Sequence, residues 1–163
     1  MRAPQETAMN ARINSGLYCA AALLLAACTS KVVEVPPLPA TTPDATSTAT
    51  TMDDYKSALA QRIVAVNSTQ VYIGRPQALL RAVIVVKYYV NADGQLLRAE
   101  ILRTNKDRKA EASALAAVRK AAPFPKPDSK FLRRGEVEIA ESWLFNDDGR
   151  FQLRSIAERQ MDE

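Results

Sequence analysis

The side chains of this sequence that could carry chemistry are few: one thiol behind an apolar run, Cys28, and two acidic pairs, Asp53-Asp54 and Asp147-Asp148. Neighbouring carboxylates can divide general-acid and general-base roles, provided a pocket raises one of the two pKa values. The first pair stands where a helical stripe begins and the second inside a turn signal. Both positions favour aspartate for its hydrogen bonds to nearby backbone amides. Both pairs are therefore expected to be solvated, and no catalytic residue is assigned. The chain has no histidine, which removes the usual general base and the commonest zinc ligand. No Cys/Asp/Glu spacing fits a metal cluster, so no metal, no cofactor and no enzyme is expected.

Cys28 closes the tetrapeptide Leu25-Ala26-Ala27-Cys28 at the end of an apolar run, Leu17 to Ala27, that begins just after Arg12. A basic stretch, an apolar stretch of 11 residues and small residues before a cleavage point make a secretory signal peptide. A spanning helix needs about 20 apolar residues, and the Asn14-Ser15 pair stops this run short of that. Residues 1–27 are read as the signal, starting at Met1 or at Met9, since Met9-Asn10-Ala11-Arg12 makes a tidy basic stretch of its own. The tetrapeptide resembles the lipobox of bacterial lipoproteins, whose cysteine becomes the first mature residue and carries lipid. One acyl chain holds a protein at a membrane only marginally, whereas two signals anchor it stably. The several chains that this resemblance implies would fix Cys28 permanently. An ordinary secretory signal with an incidental cysteine is the alternative.

Removing the first 27 of 163 residues leaves one small domain and a leader to it. Cys19 goes with the signal and Cys28 is modified, so no disulfide pair remains and packing must supply the stability. The net charge falls only from +4 to +3 with the loss of Arg2, Arg12 and Glu6. That mild excess does not imply nucleic acid. Residues 28–52, with Pro36-Pro37, Pro39, Pro43 and the Thr/Ala/Ser tract Ala40 to Thr51, read as a tether. The 22 residues from Lys31 to Met52 stretch to at most about 70 Å.

A single domain is expected over residues 53–156, followed by a charged tail, 157–163. Tyr55, Leu59, Ile63 and Val66 recur at helical spacing, and Thr51 with Asp54 makes a capping box. After a loop with Gly74 and Pro76, Ala82, Ile84, Val86, Tyr88 and Val90 alternate in a strand over Arg81 to Val90. Asn91-Ala92-Asp93-Gly94 turns the chain, and Leu97, Ala99 and Ile101 continue the alternation, which predicts a hairpin. Ala110 to Ala122 reads as a second helix, stopped by Pro123. Val137, Ile139, Trp143 and Phe145 alternate in a further strand, with Phe151 and Leu153 on its return after Asn146-Asp147-Asp148-Gly149. Trp143 is expected in the core. Two basic connections remain: Arg103, Lys106, Arg108 and Lys109, and Lys126, Lys130, Arg133 and Arg134. Both are read as solvated loops, the second as a candidate basic surface for an anionic polymer or lipid.

Three strings in this order, Val83-Ile84-Val85-Val86-Lys87-Tyr88-Tyr89-Val90 with Asp93-Gly94, Ala114-Leu115-Ala116-Ala117-Val118-Arg119-Lys120-Ala121, and Pro123-Phe124-Pro125-Lys126-Pro127, resemble the C-terminal domain of the TonB/TolA family of envelope proteins. The resemblance implies an α+β fold with two helices on one face of a short antiparallel sheet of three to four strands. It also implies binding to an envelope protein, a transport or assembly component, through main-chain pairing at a sheet edge. The return strand at the chain end is the expected edge, which places partner contact at Arg150, Phe151, Gln152, Leu153 and Arg154. The apolar run is too short for the family's N-terminal membrane helix and the tether is short, so an adaptor is expected rather than an autonomous energy transducer. Thr29 after the lipidated cysteine points, by the sorting rules of lipoproteins, to the periplasmic face of the outer membrane. Retention at the inner membrane is the alternative location. The alternative function is a structural envelope lipoprotein whose basic loops hold peptidoglycan or anionic lipid.

Overall fold

The first helix is dictated by its cap. In the computed structural model, which describes residues 45–76 and 78–158, the Asp54 N–H donates to the Thr51 hydroxyl and the Thr51 N–H to the Asp54 carboxylate, each at 3.1 Å. Two amides that a helix leaves orphaned are thereby satisfied. Helix α1 runs over Met52–Val66 and buries Tyr55, Leu59, Ala60 and Ile63 along one stripe. It stops at Asn67, whose side-chain amide donates to the Ile63 carbonyl at 2.8 Å and the Ala117 carbonyl at 3.2 Å, tying the first helix to the second.

Strands β1 (Ala82–Asn91) and β2 (Leu96–Arg103) form the expected hairpin. Helix α2 (Arg108–Ala121) follows, capped by Asp107, and then β3 (Glu136–Phe145) and the short β4 (Phe151–Leu153). All neighbours are antiparallel in the order β2-β1-β3-β4. β1 pairs with β3 without interruption from Ala82↔Phe145 to Asn91↔Glu136. Ile84, Val86, Tyr88 and Val90 of β1 and Val137, Ile139, Trp143 and Phe145 of β3 bury one sheet face under the helices. α2 meets this layer through Ala110, Ala114, Ala117, Val118 and Ala121, small side chains that let it lie close.

Two details depart from the pattern expected of the sequence. Alternation places Leu97 on the core face, but β2 bulges there: Val90 faces Leu96 and Tyr89 faces Arg98, leaving Leu97 unpaired and 48% exposed. One extra residue resets the alternation, so Leu96 packs with Ala99 and Ile101 instead. Packing also reaches back past Asp53. The Ser47 N–H donates to the Lys126 carbonyl at 2.9 Å, the Lys126 N–H to the Ala45 carbonyl at 3.1 Å, and Ala49 lies against the core.

Candidate protein-binding edges of the sheet

A sheet covered on one face offers two edges, and the two differ here. At one end stands β4, on which Phe151 and Leu153 are fully buried and Gln152 is 8% exposed. Its outward side is met by the chain that precedes β1: Val71 bridges Phe151 in parallel, and the Tyr72 N–H donates to the Phe151 carbonyl at 2.9 Å. The Gln152 amide group donates to the Tyr72 carbonyl at 3.0 Å and to the Gly74 carbonyl. The Leu153 carbonyl accepts the Ile156 N–H at 3.1 Å. Beyond Leu153 the chain turns away, and Glu141, 3% exposed, takes the strand's place. Its Oε1 accepts the Ser142 N–H at 2.7 Å and the Ser155 N–H at 3.4 Å.

β2 forms the other end and, among the described residues, has no strand beyond it. A second bulge, between Val85/Arg103 and Val86/Ile101, leaves Leu102 unpaired and 56% exposed. The edge strand is latched down across the open face of the sheet. Arg98 lays its guanidinium 3.4 Å from the Tyr89 ring centre and reaches Glu136 of β3 with two bonds, 2.9 and 2.7 Å. Lys87 pairs with Glu100 at 2.8 Å beside it. The guanidinium holds the Glu136 carboxyl below the usual carboxylate range, and the Lys87 ammonium does the same for Glu100.

With that geometry in place, comparison with known families is decisive: the profile described as TonB C terminal matches residues 52–139, more than half of the sequence. The chain belongs to the TonB C-terminal family. Domains of this family are protein-interaction modules of the cell envelope rather than enzymes. The match begins at the first residue of α1 and ends inside β3, so β4 and the segment that Glu141 caps lie beyond it. No curated protein and no solved structure matches the chain.

The remaining candidate residues of the TonB C-terminal domain fall as follows. Asp54 serves the α1 cap, and its hydrogen bonds from Thr51 and Thr50 hold its pKa down. Asp148 accepts the Arg150 N–H at 2.9 Å within the last turn, which likewise lowers its pKa. Neither carries the raised value that acid catalysis at neutral pH needs. Among the described residues no group of three or more Cys, Asp or Glu is placed to hold a metal. Among the described residues, too, no helix is long and apolar enough to cross a membrane. Arg150 sets its guanidinium 5.0 Å from the Tyr72 ring centre, so it secures the same segment that covers β4. Arg154 lines a groove with Leu80, Val83 and Leu144 on the open sheet face.

The candidate basic surface is mixed in sign. Lys130 pairs with Asp128 at 3.4 Å, and Arg133 and Arg134 line a groove together with Glu136 and Glu138. Lys126 spends its backbone on Ala45 and Ser47. Cys28 lies outside the described residues. What sequence reasoning missed is the contact of Val71–Gly74 with β4 and the two bulges of β2. The trace of the bulges in the sequence is an adjacent apolar pair at each, Leu96-Leu97 and Ile101-Leu102, where alternation would ask for one apolar residue.

Proposed function

We propose that the chain is a lipid-anchored adaptor: Cys28 is acylated after removal of residues 1–27, and the TonB C-terminal domain binds an envelope protein of a transport or assembly system by strand addition at a sheet edge. The observation that carries the reading is the sheet itself, helices on one face and a terminal strand, β2, with no neighbour beyond it among the described residues. An edge of this kind presents backbone donors and acceptors to an extended peptide. The cysteine supplies the attachment. The 17 residues from Cys28 to Asp44, before the described chain begins, reach at most about 60 Å, which keeps the domain near its own membrane. Thr29 favours the periplasmic face of the outer membrane. Pairing at 150–154 is open to this reading if a partner displaces Val71–Gly74 from β4.

Fractionation of cells expressing the wild-type chain and Cys28→Ser tests the attachment. The wild type is expected with the membranes and the variant in the soluble periplasm. A variant that stays with the membranes after its signal has been cleaved overturns the anchor.

A further inference from the structure

We propose that the outer edge of β2, with the groove between β2 and α2, takes an extended acidic and apolar segment of a partner protein as a fifth strand. The inference rests on the adaptor reading above and adds which edge is used and what chemistry it selects.

The backbone comes first. The Asn91 N–H donates to the Gln95 carbonyl at 3.0 Å and closes the hairpin. Counting from that bonded pair through the bulge at Leu97 makes Tyr89/Arg98 and Lys87/Glu100 the next bonded pairs. The N–H and C=O of Ala99 and Ile101 therefore point away from β1, to the side where the sheet has no strand among the described residues. A bulge flanks this stretch at each end, and each presents a leucine to solvent, Leu97 and Leu102.

The side chains then say what strand fits. Beside the edge lies a groove of about 570 Å³ lined by Ile101, Ala112 and Leu115, with Lys106, Arg108 and Glu111 at its polar margin. Arg119 follows Leu115 on the same helical stripe. Along this flank, among the described residues, Arg103, Lys106, Arg108 and Arg119 form no ion pair. Of the carboxylates nearby, Asp107 is paired with Arg81 at 2.8 Å and Glu100 with Lys87 at 2.8 Å, while Glu111 accepts from the Thr104 hydroxyl at 2.6 Å and keeps its charge, one carboxylate against the four cations. The field over the edge is thus positive. Bulges and like charge both discourage a second copy of this chain from pairing here. An incoming strand with apolar residues facing Ile101 and Leu115, and carboxylates facing Lys106 and Arg108, satisfies the open backbone, the groove and the charge together. An anionic lipid surface would satisfy only the charge.

The test uses the full-length protein and a short, end-blocked, fluorescent peptide of alternating valine and glutamate, read by anisotropy. Its twin with lysine for glutamate, and phosphatidylglycerol vesicles, are the comparison probes. The glutamate peptide is expected to bind, and the lysine twin to bind at least about tenfold more weakly. Lys106→Glu with Arg108→Glu is expected to cost about tenfold in affinity. Ala99→Pro removes one outward N–H from an edge strand, where proline is best tolerated, and is expected to abolish binding with the near-ultraviolet signal of Trp143 retained. Should that variant fail to fold, the paired charge reversal decides alone. If the peptide binds both variants as well as the wild type, the β2 assignment is overturned while strand addition at the other edge stands. If vesicles displace the peptide and Ala99→Pro binds both unchanged, this proposal and the protein-partner reading fall together. Failure of the glutamate peptide to bind the wild type also overturns the proposal.

Discussion

Tyr72 donates its backbone N–H to the Phe151 carbonyl at 2.9 Å, so the outer side of the last strand is already engaged by the chain's own approach to β1. Gln152 reinforces the contact by giving its side-chain amide to the carbonyls of Tyr72 and Gly74. Gln152→Ala strands both carbonyls in a half-buried setting and is expected to cost about 1 to 3 kcal/mol. Exchange of the Tyr72 amide should quicken in the same variant. Unchanged stability and exchange would show that the segment is held by other contacts. Ladder alternation, counted from the Arg154 N–H to Ser142 carbonyl bond, turns the Gln152 N–H toward Leu144. Proline at Gln152 would therefore break the hairpin rather than probe the edge.

Gly94 sits at φ 81°, and a Cβ built there would stand 2.1 Å from the Phe124 carbonyl oxygen. The same glycine accepts the Phe124 N–H at 2.8 Å, so the hairpin turn and the chain leaving α2 are locked against each other. Gly94→Ala is expected to cost at least about 2 kcal/mol, from the backbone conformation and the clash together. A chemical denaturation midpoint equal to the wild type's would contradict that contact.

Trp143 is fully buried against Phe151, ring centres 6.4 Å apart, and its indole N–H has no hydrogen-bond partner among the described residues. Trp143→Ala should cost about 3 to 5 kcal/mol as a core cavity. Trp143→Phe should cost much less, because no hydrogen bond is lost with the indole. Equal losses in the two variants, measured by urea unfolding, would mean that the N–H is bonded after all.

Asp107 caps α2. Its pKa is lowered first by the Ala110 N–H and then by Arg81. A carboxyl whose folded pKa lies below its unfolded value stabilises the fold above the unfolded pKa and loses that contribution as pH falls through the folded one. Between about pH 5 and about pH 2, thermal stability of the wild type should therefore fall more steeply than that of Asp107→Asn. Parallel curves would remove Asp107 from the account.

The cap at Thr51, the stripe of Tyr55, Leu59 and Ile63, the inward alternation of Ile84 to Val90 and the core place of Trp143 were all legible in the sequence. Each is set by neighbours close along the chain or by a period that a single segment displays. The bulges at Leu97 and Leu102 were not legible, because a bulge is decided by the opposing strand and leaves no period of its own. Nor was the contact of Val71 and Tyr72 with Phe151, a short parallel bridge between residues far apart in sequence. Those two features shape the two edges, so the family and the fold could be read from the chain while the surroundings of its edge strands could not.

The central claim, that a partner joins the sheet through its backbone, is tested most directly by amide hydrogen exchange of the full-length protein, free and bound to the valine–glutamate peptide. The account predicts that exchange at Ala99 and Ile101 slows by at least about tenfold on binding, with Lys126, Lys130, Arg133 and Arg134 dispensable. Binding with no slowed amide on β2 or β4, abolished instead by reversing Arg133 and Arg134 to glutamate, would contradict it.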